Sequence, residues 1–308
     1  MLYLIWDQFV NGKGNDAIDY DIILYIPKIK IEEECMIHEG KEYRIKEEDT
    51  VVFSINEDGI HYIKQINYTM PQLVKETREM GNFVRRFTKN IYNDPEMIEK
   101  VADKYQTYKV CEGNINVPKS VDKMSKWGDE FPCIVTAKVA SGGRYRDKVE
   151  NRQEMHKCYN RIKANKGENN VMITSYIDSY VPELESYHNL RIMVINDTII
   201  DWFYRPSDNW NIHTKTQNDK KVIAAEYYKK WSEENELKVN NFVRQMYKLY
   251  GKGGYSYDCI IENDEIYLCE IGYKFWDDTV AHKIKQVPKF THNLKEYKKH
   301  ITNIIRNN

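Results

Sequence analysis

From Tyr255 to Gly272, β-branched and aromatic residues alternate with polar ones on two arms, and Glu262, Asn263, Asp264 and Glu265 between them are turn chemistry, so the stretch reads as a β-hairpin. Because side chains on a strand repeat every two residues, the loop length decides which of them share a face. If the loop holds Asn263, Asp264 and Glu265, Asp258 lies directly across from Glu270 and Ile260 across from Leu268; a two-residue loop puts the two acids on opposite faces. Two carboxylates on one face repel each other, and a positive group between them relieves the repulsion. A hard cation bound through oxygen is one such group. An exposed hairpin with ordinary surface acids is the alternative.

The totals narrow the classes. With 308 residues, 41% of them hydrophobic, the chain is long enough for roughly two domains with real cores. Lys and Arg total 46 against 47 Asp and Glu, which argues against a general nucleic-acid or anionic-membrane binder and leaves phosphate binding to local clusters. The six cysteines contain no C-x-x-C pair, and Cys133, Cys259 and Cys269 lie in apolar, strand-like runs, as reduced core thiols do. The first six residues lack a basic lead and no apolar run approaches membrane-spanning length, so a cytoplasmic soluble protein is expected.

Short strand patterns at Leu2 to Trp6, Asp21 to Ile26, Thr50 to Ile55 and Ile60 to Ile66 make the first part a small, strand-rich unit. Helical spacing runs from Pro71 to Phe87, and a second helix is expected from Glu96 to Val110. Phe131 to Lys138 reads as a strand before the glycine turn Ser141, Gly142, Gly143. Asn151 with Glu154 three residues on signals a helix start. Strands follow at Val171 to Ile177, Leu190 to Ile195 and Thr198 to Phe203. A helical zone from Val222 to Tyr250, interrupted near Glu233 and stopped at Gly251, precedes the hairpin, and a last helix covers Leu294 to Ile305.

Six cations precede the two acids: Lys104, Lys138, Arg144, Arg146, Arg191 and Arg205. Lys138 ends an apolar strand before a flexible turn whose free N–H groups suit phosphate oxygens. Arg191 sits inside an apolar strand and Arg205 ends another, and a charge inside a strand needs a partner.

In this order, residues 90 to 278 resemble an ATP-grasp enzyme, the superfamily of D-alanine-D-alanine ligase, glutathione synthetase and peptide-modifying amino-acid ligases. Val101-Ala-Asp-Lys104 with Ile115 to Pro118 resembles the family's Asp-Lys helix and following strand, which assigns Lys104 to phosphate. Phe131 to Lys138 with Ser141, Gly142 and Gly143 is similar to its lysine strand and glycine-rich lid. The family lysine falls where this chain has Thr136, two residues before Lys138, and either is open as the phosphate contact. Val171 to Asp178 resembles the linker that holds adenine through backbone groups, implying Ser175, Tyr176 and Ile177, with Glu183 or Glu185, preferably Glu183, on the ribose. Arg191 and Arg205 match the strand arginines that reach phosphates and substrate, and Asp258 with Glu270 matches the metal-binding end, although the family's last metal-binding asparagine is Gly272 here.

The resemblance implies an α+β ATP-grasp fold, in which two α+β subdomains clamp ATP, with a small N-terminal α/β pre-ATP-grasp domain. The expected division is residues 1–90, then 91–170 carrying the lid, then 171–308 carrying the metal site. It implies ATP and Mg²⁺, with Mn²⁺ as a substitute, and an ADP-forming ligase that joins small-molecule or peptide carboxylate and amine substrates through an acyl phosphate, with room for a homodimer. A kinase-like phosphotransferase and a degenerate nucleotide-binding protein are the alternatives. Trp202, Trp210 and Trp276 are candidate lining for the acceptor pocket.

Overall fold

The computed structural model describes residues 1–6, 18–54, 70–139, 145–212, 220–272 and 294–307. The expected strand at Ile60 to Ile66, the lid residues Ser141, Gly142, Gly143 and Arg144, and Trp276 lie outside the described residues.

The chain opens with a parallel sheet. β1 (Leu2–Trp6) pairs with β2 (Ile22–Tyr25) on one side and β6 (Thr50–Ser54) on the other, and β6 pairs with β7 (Ile91–Tyr92). Three short strands, β3 (Ile29–Ile31), β4 (Met36–His38) and β5 (Lys41–Tyr43), form a small antiparallel sheet beside it. The helix Met70–Arg85 connects β6 to β7 and buries Met80, Phe83 and Val84.

Where one helix is expected from Glu96 to Val110 there are two, Pro95–Ala102 and Lys104–Cys111. Asp103 causes the break: it takes an extended backbone, and its carboxylate accepts hydrogen bonds from Tyr105 N and Gln106 N as the cap of the second helix. Lys104 thereby becomes the first residue of a helix.

A second sheet has the order β10 (Arg146–Val149), β9 (Cys133–Ala137), β11 (Val171–Ser175), β8 (Ser120–Val121), all antiparallel. Cys133, Val135, Ala137, Val149, Val171 and Ile173 pack on Met155, Tyr159 and Ile162 of the helix Arg152–Lys166. Asn151 caps that helix by accepting from Glu154 N, as the spacing predicts. Alternation then places Ile134, Thr136, Arg146 and Lys148 on the other face of the sheet.

The third sheet runs β12 (Tyr180–Val181), β13 (Ser186–Ile195), β15 (Gly254–Glu262), β16 (Glu265–Gly272), with β14 (Thr198–Ser207) also paired to β13. The helices Lys221–Glu234 and Glu236–Tyr250 meet at Asn235, and Gly251 at φ +74° ends the second. Leu190, Ile192, Tyr255, Tyr257 and Cys259 share one core with Tyr3, Ile5, Val51 and Phe53 of the first sheet; on the opposite face Met193 and Ile195 pack with Leu2, Leu4, Ile301 and Ile305 in a second core, while Arg191, Asp258 and Glu270 form a charged cluster beside it. The closing helix is Leu294–Asn307. All six cysteines are free. Among the described residues no helix is long and apolar enough to cross a membrane.

Candidate active site

The hairpin reaches its predicted pairing by a different route. Its loop is the two residues Asn263 and Asp264, both at positive φ (51° and 60°), a turn whose twist matches its strands. Glu262 faces Glu265 and Ile260 faces Tyr267, not Leu268. A two-residue loop alone would set Asp258 against Cys269. A β-bulge shifts the register between Asp258 and Cys259, so Cys259 faces Leu268 while Asp258 faces Glu270. The bulged Cys269 offers its carbonyl to the buried Tyr108 hydroxyl at 2.8 Å, which pins the helix Lys104–Cys111 against this point of the sheet.

The register continues across the sheet. Arg191 on β13 is directly opposite Asp258, and Glu270 lies on its other side. Arg191 donates to Asp258 through Nε at 2.6 Å and Nη2 at 2.8 Å, a forked pair, and Arg205 on β14 donates through Nη2 at 3.3 Å and Nη1 at 3.5 Å. Burial works to raise the Asp258 pKa, but the two guanidiniums prevail and hold it at about 2. Lys104 Nζ stands 3.4 Å from Glu270 Oε1. The positive charge expected between the two acids is thus provided by side chains of the chain itself.

Lys104 also ties the two sheets together, since its backbone N–H donates to Lys138 O at 3.1 Å. The Lys138 ammonium lies 5.0 Å from the ring centroid of Tyr105. Thr136 is buried within the second sheet, whereas Lys138 lies one residue past the end of β9 and is partly exposed. Arg146 and Lys148 share the face of Thr136. Lys148 Nζ lies 4.2 Å from the ring centroid of Tyr176, Arg146 lies 5.6 Å from that of Trp210, and the two rings meet edge to face at 6.4 Å.

Ser175 ends β11, and Tyr176 and Ile177 begin the linker to β12. Asp178 holds this linker: it accepts from the Tyr176 hydroxyl and from Tyr180 N, and its own N–H donates to Glu262. Glu183 is exposed on the single turn Pro182–Leu184, and Glu185 next to it takes a left-handed φ of 46°. The structure therefore gathers Lys104, Arg191, Arg205, Asp258 and Glu270 in one cluster, with Lys138 tied to it through the Lys104 backbone. Sequence reasoning names Arg146 only among the cations and misses Lys148 and Ser256. The alternation Arg146, Lys148 after the glycine turn, and Ser256 two residues before Asp258, are the signals that could have found them.

The donor chemistry fits a hard divalent cation. Asp258 and Glu270 offer carboxylate oxygens on one face, and opposite the side-chain-free Gly272 the Ser256 hydroxyl occupies the space in which a Cβ at 272 would stand. Among the described residues no three carboxylate, imidazole or thiolate groups converge.

Solved structures of the ATP-grasp fold align with nearly the whole chain, and the chain has that fold. The ATP-grasp ligase PsnB complexed with precursor peptide PsnA2 and AMPPNP aligns over 99% of this chain and 98% of its own, with a TM-score of 0.57 and 12% identity. PsnB complexed with minimal precursor, Mg and ADP aligns over the same shares with a TM-score of 0.58 and 11% identity. A RimK domain protein ATP-grasp from Sphaerobacter thermophilus aligns over 92% of this chain and 95% of its own, with a TM-score of 0.51 and 8% identity. No family model and no curated protein matches the sequence. At such identities the shared property is the fold.

Proposed function

We propose that the chain is an ATP-dependent ligase that joins a carboxylate to an amine through an acyl phosphate and releases ADP and phosphate. The observation that carries this reading is the convergence, among the described residues, of Lys104, Arg191 and Arg205 on Asp258 and Glu270. Such a cluster suits a triphosphate, which can draw the guanidiniums toward its own oxygens. Lys138 and the lid Ser141, Gly142 and Gly143 add to the phosphate side; Ser175, Tyr176 and Ile177 hold the adenine through backbone groups, and Glu183 takes the ribose. In this reading residues 1–90 shape the acceptor side, 91–170 carry the lid, and 171–308 carry the acids.

Mg²⁺, or Mn²⁺ in its place, would be held by Asp258 and Glu270 and would neutralise phosphate charge there. The substrate carboxylate oxygen attacks the γ-phosphorus and the bond to ADP breaks. The amine nitrogen then attacks the acyl carbon, phosphate leaves and the nitrogen gives up a proton. Arg191 aligns the phosphate, and Arg205 opposes the negative charge that develops on the acyl oxygen. Holding the reactants in line supplies roughly 7–11 kcal/mol toward the barrier, so little further chemistry is asked of the chain. The fold neighbours support the reading, being ATP-grasp ligases, and one is complexed with a precursor peptide. A peptide is accordingly a substrate to try beside small molecules.

The test is ³¹P NMR of the purified chain with ATP, Mg²⁺ and panels of carboxylates and amines. A ligase forms ADP and phosphate only when both substrates are present. A stable phosphoester or phosphoramidate indicates a kinase, and no turnover indicates a nucleotide binder. AMP with pyrophosphate would overturn the assignment.

A further inference from the structure

We infer that the Ser256 hydroxyl is the third protein oxygen of the cation site begun by Asp258 and Glu270, a role that rests on the ligase reading above. Ser256 and Asp258 are two residues apart on β15 and share one of its faces, opposite Met193 and Arg191 of β13, while Tyr255, Tyr257 and Cys259 between and beside them face the other core. Ser256 is 7% exposed, and among the described residues no hydrogen bond engages its hydroxyl, which stays within reach of solvent and leaves its lone pairs open to a cation.

The register sets where the hydroxyl lies. Ser256 is directly opposite Gly272, two residues beyond Glu270 on the same face, and its Oγ fills the place where a side chain at 272 would begin. Any larger residue at 272 would push the hydroxyl from this place. Serine and glycine therefore act as one unit, in which β15 supplies the oxygen that β16 lacks. A neutral hydroxyl also completes the protein's share of an oxygen shell without adding a third negative charge, leaving the remaining positions to phosphate and water.

Mn²⁺ serves as the probe. Binding to the full chain, saturated with a non-hydrolysable ATP analogue, is followed by the electron paramagnetic resonance of free Mn²⁺, and analogue affinity is measured separately in EDTA. Ser256→Ala is expected to weaken Mn²⁺ binding at least about tenfold, with the EDTA affinity and thermal midpoint unchanged. Adding Gly272→Asn to Ser256→Ala is expected to recover most of the loss, because the amide oxygen enters the space the hydroxyl vacates. Wild-type Mn²⁺ binding in Ser256→Ala, while Glu270→Gln loses it, overturns this inference and leaves the ligase reading standing. An equal loss of analogue affinity in EDTA also overturns it, since that points to packing. No Mn²⁺ binding by the wild type with the analogue overturns the ligase reading and this inference with it.

Discussion

Replacing Asp258 by Asn keeps the shape and removes one charge from the centre of the cluster. The side chains of Asp258, Arg191 and Arg205 are 13%, 22% and 11% exposed, so water can do little to compensate. The carboxyl is held at about 2 against an ordinary 3.8, nearly two units, worth roughly 2–3 kcal/mol at 1.36 kcal/mol per unit. Removing the charge that both guanidiniums face costs up to roughly 3–5 kcal/mol by analogy with other broken buried pairs. We expect Asp258→Asn to lower the unfolding free energy at pH 7 by about 3 kcal/mol in urea titrations followed by tryptophan fluorescence. Because the folded-state pKa is depressed, the contribution is full above about pH 4, declines below 3.8 and is gone once the pH has fallen through about 2. Wild type and variant should therefore converge in acid. Arg191→Gln should cost more than Arg205→Gln, since the Arg191 bonds are 2.6 and 2.8 Å and those of Arg205 3.3 and 3.5 Å. A loss below about 1 kcal/mol at pH 7, the range of a surface ion pair, would refute the reasoning.

Glu270→Gln should reduce ATP turnover by at least about 10²-fold. Its side chain is 42% exposed, so unfolding free energy should move by less than about 1 kcal/mol; full activity in this variant removes Glu270 from the cation site. Asp103→Ala removes the cap that starts the helix at Lys104 and should cost about 1 kcal/mol by thermal unfolding, with weaker ATP binding by calorimetry. Unchanged ATP affinity would separate the cap from the site. His188 is lowered to about 4 by burial and by repulsion from Lys220, so the unfolded chain binds a proton that the folded chain refuses, and stability falls as pH drops from about 6.5 to 4. His188→Gln should flatten that limb of the urea midpoint against pH, and an unaltered slope contradicts the assignment.

Local pattern made several elements legible: β1 at Leu2–Trp6, the helix begun by Asn151, the stop at Gly251 and the strand around Arg191 all lie where periodicity and capping put them. The misreading from Glu96 to Val110 has a local cause as well. Apolar spacing continues through Asp103, and only the backbone geometry reveals that this aspartate serves as a cap.

The hairpin marks the division most sharply. Its alternation and turn residues determined two strands and two acids in the sequence alone, because side-chain period and turn chemistry act over a few residues. Which face the acids share was decided by tertiary structure. The turn is one residue shorter than the pairing requires, and a bulge whose carbonyl is taken by Tyr108, 161 positions earlier in the chain, makes up the difference. The partners were decided at the same level: Arg191 meets Asp258 across 67 positions, and Lys104 reaches Glu270 from another element. A sequence displays charges that need partners, and choosing the partner takes the register of strands that meet only once the chain has folded.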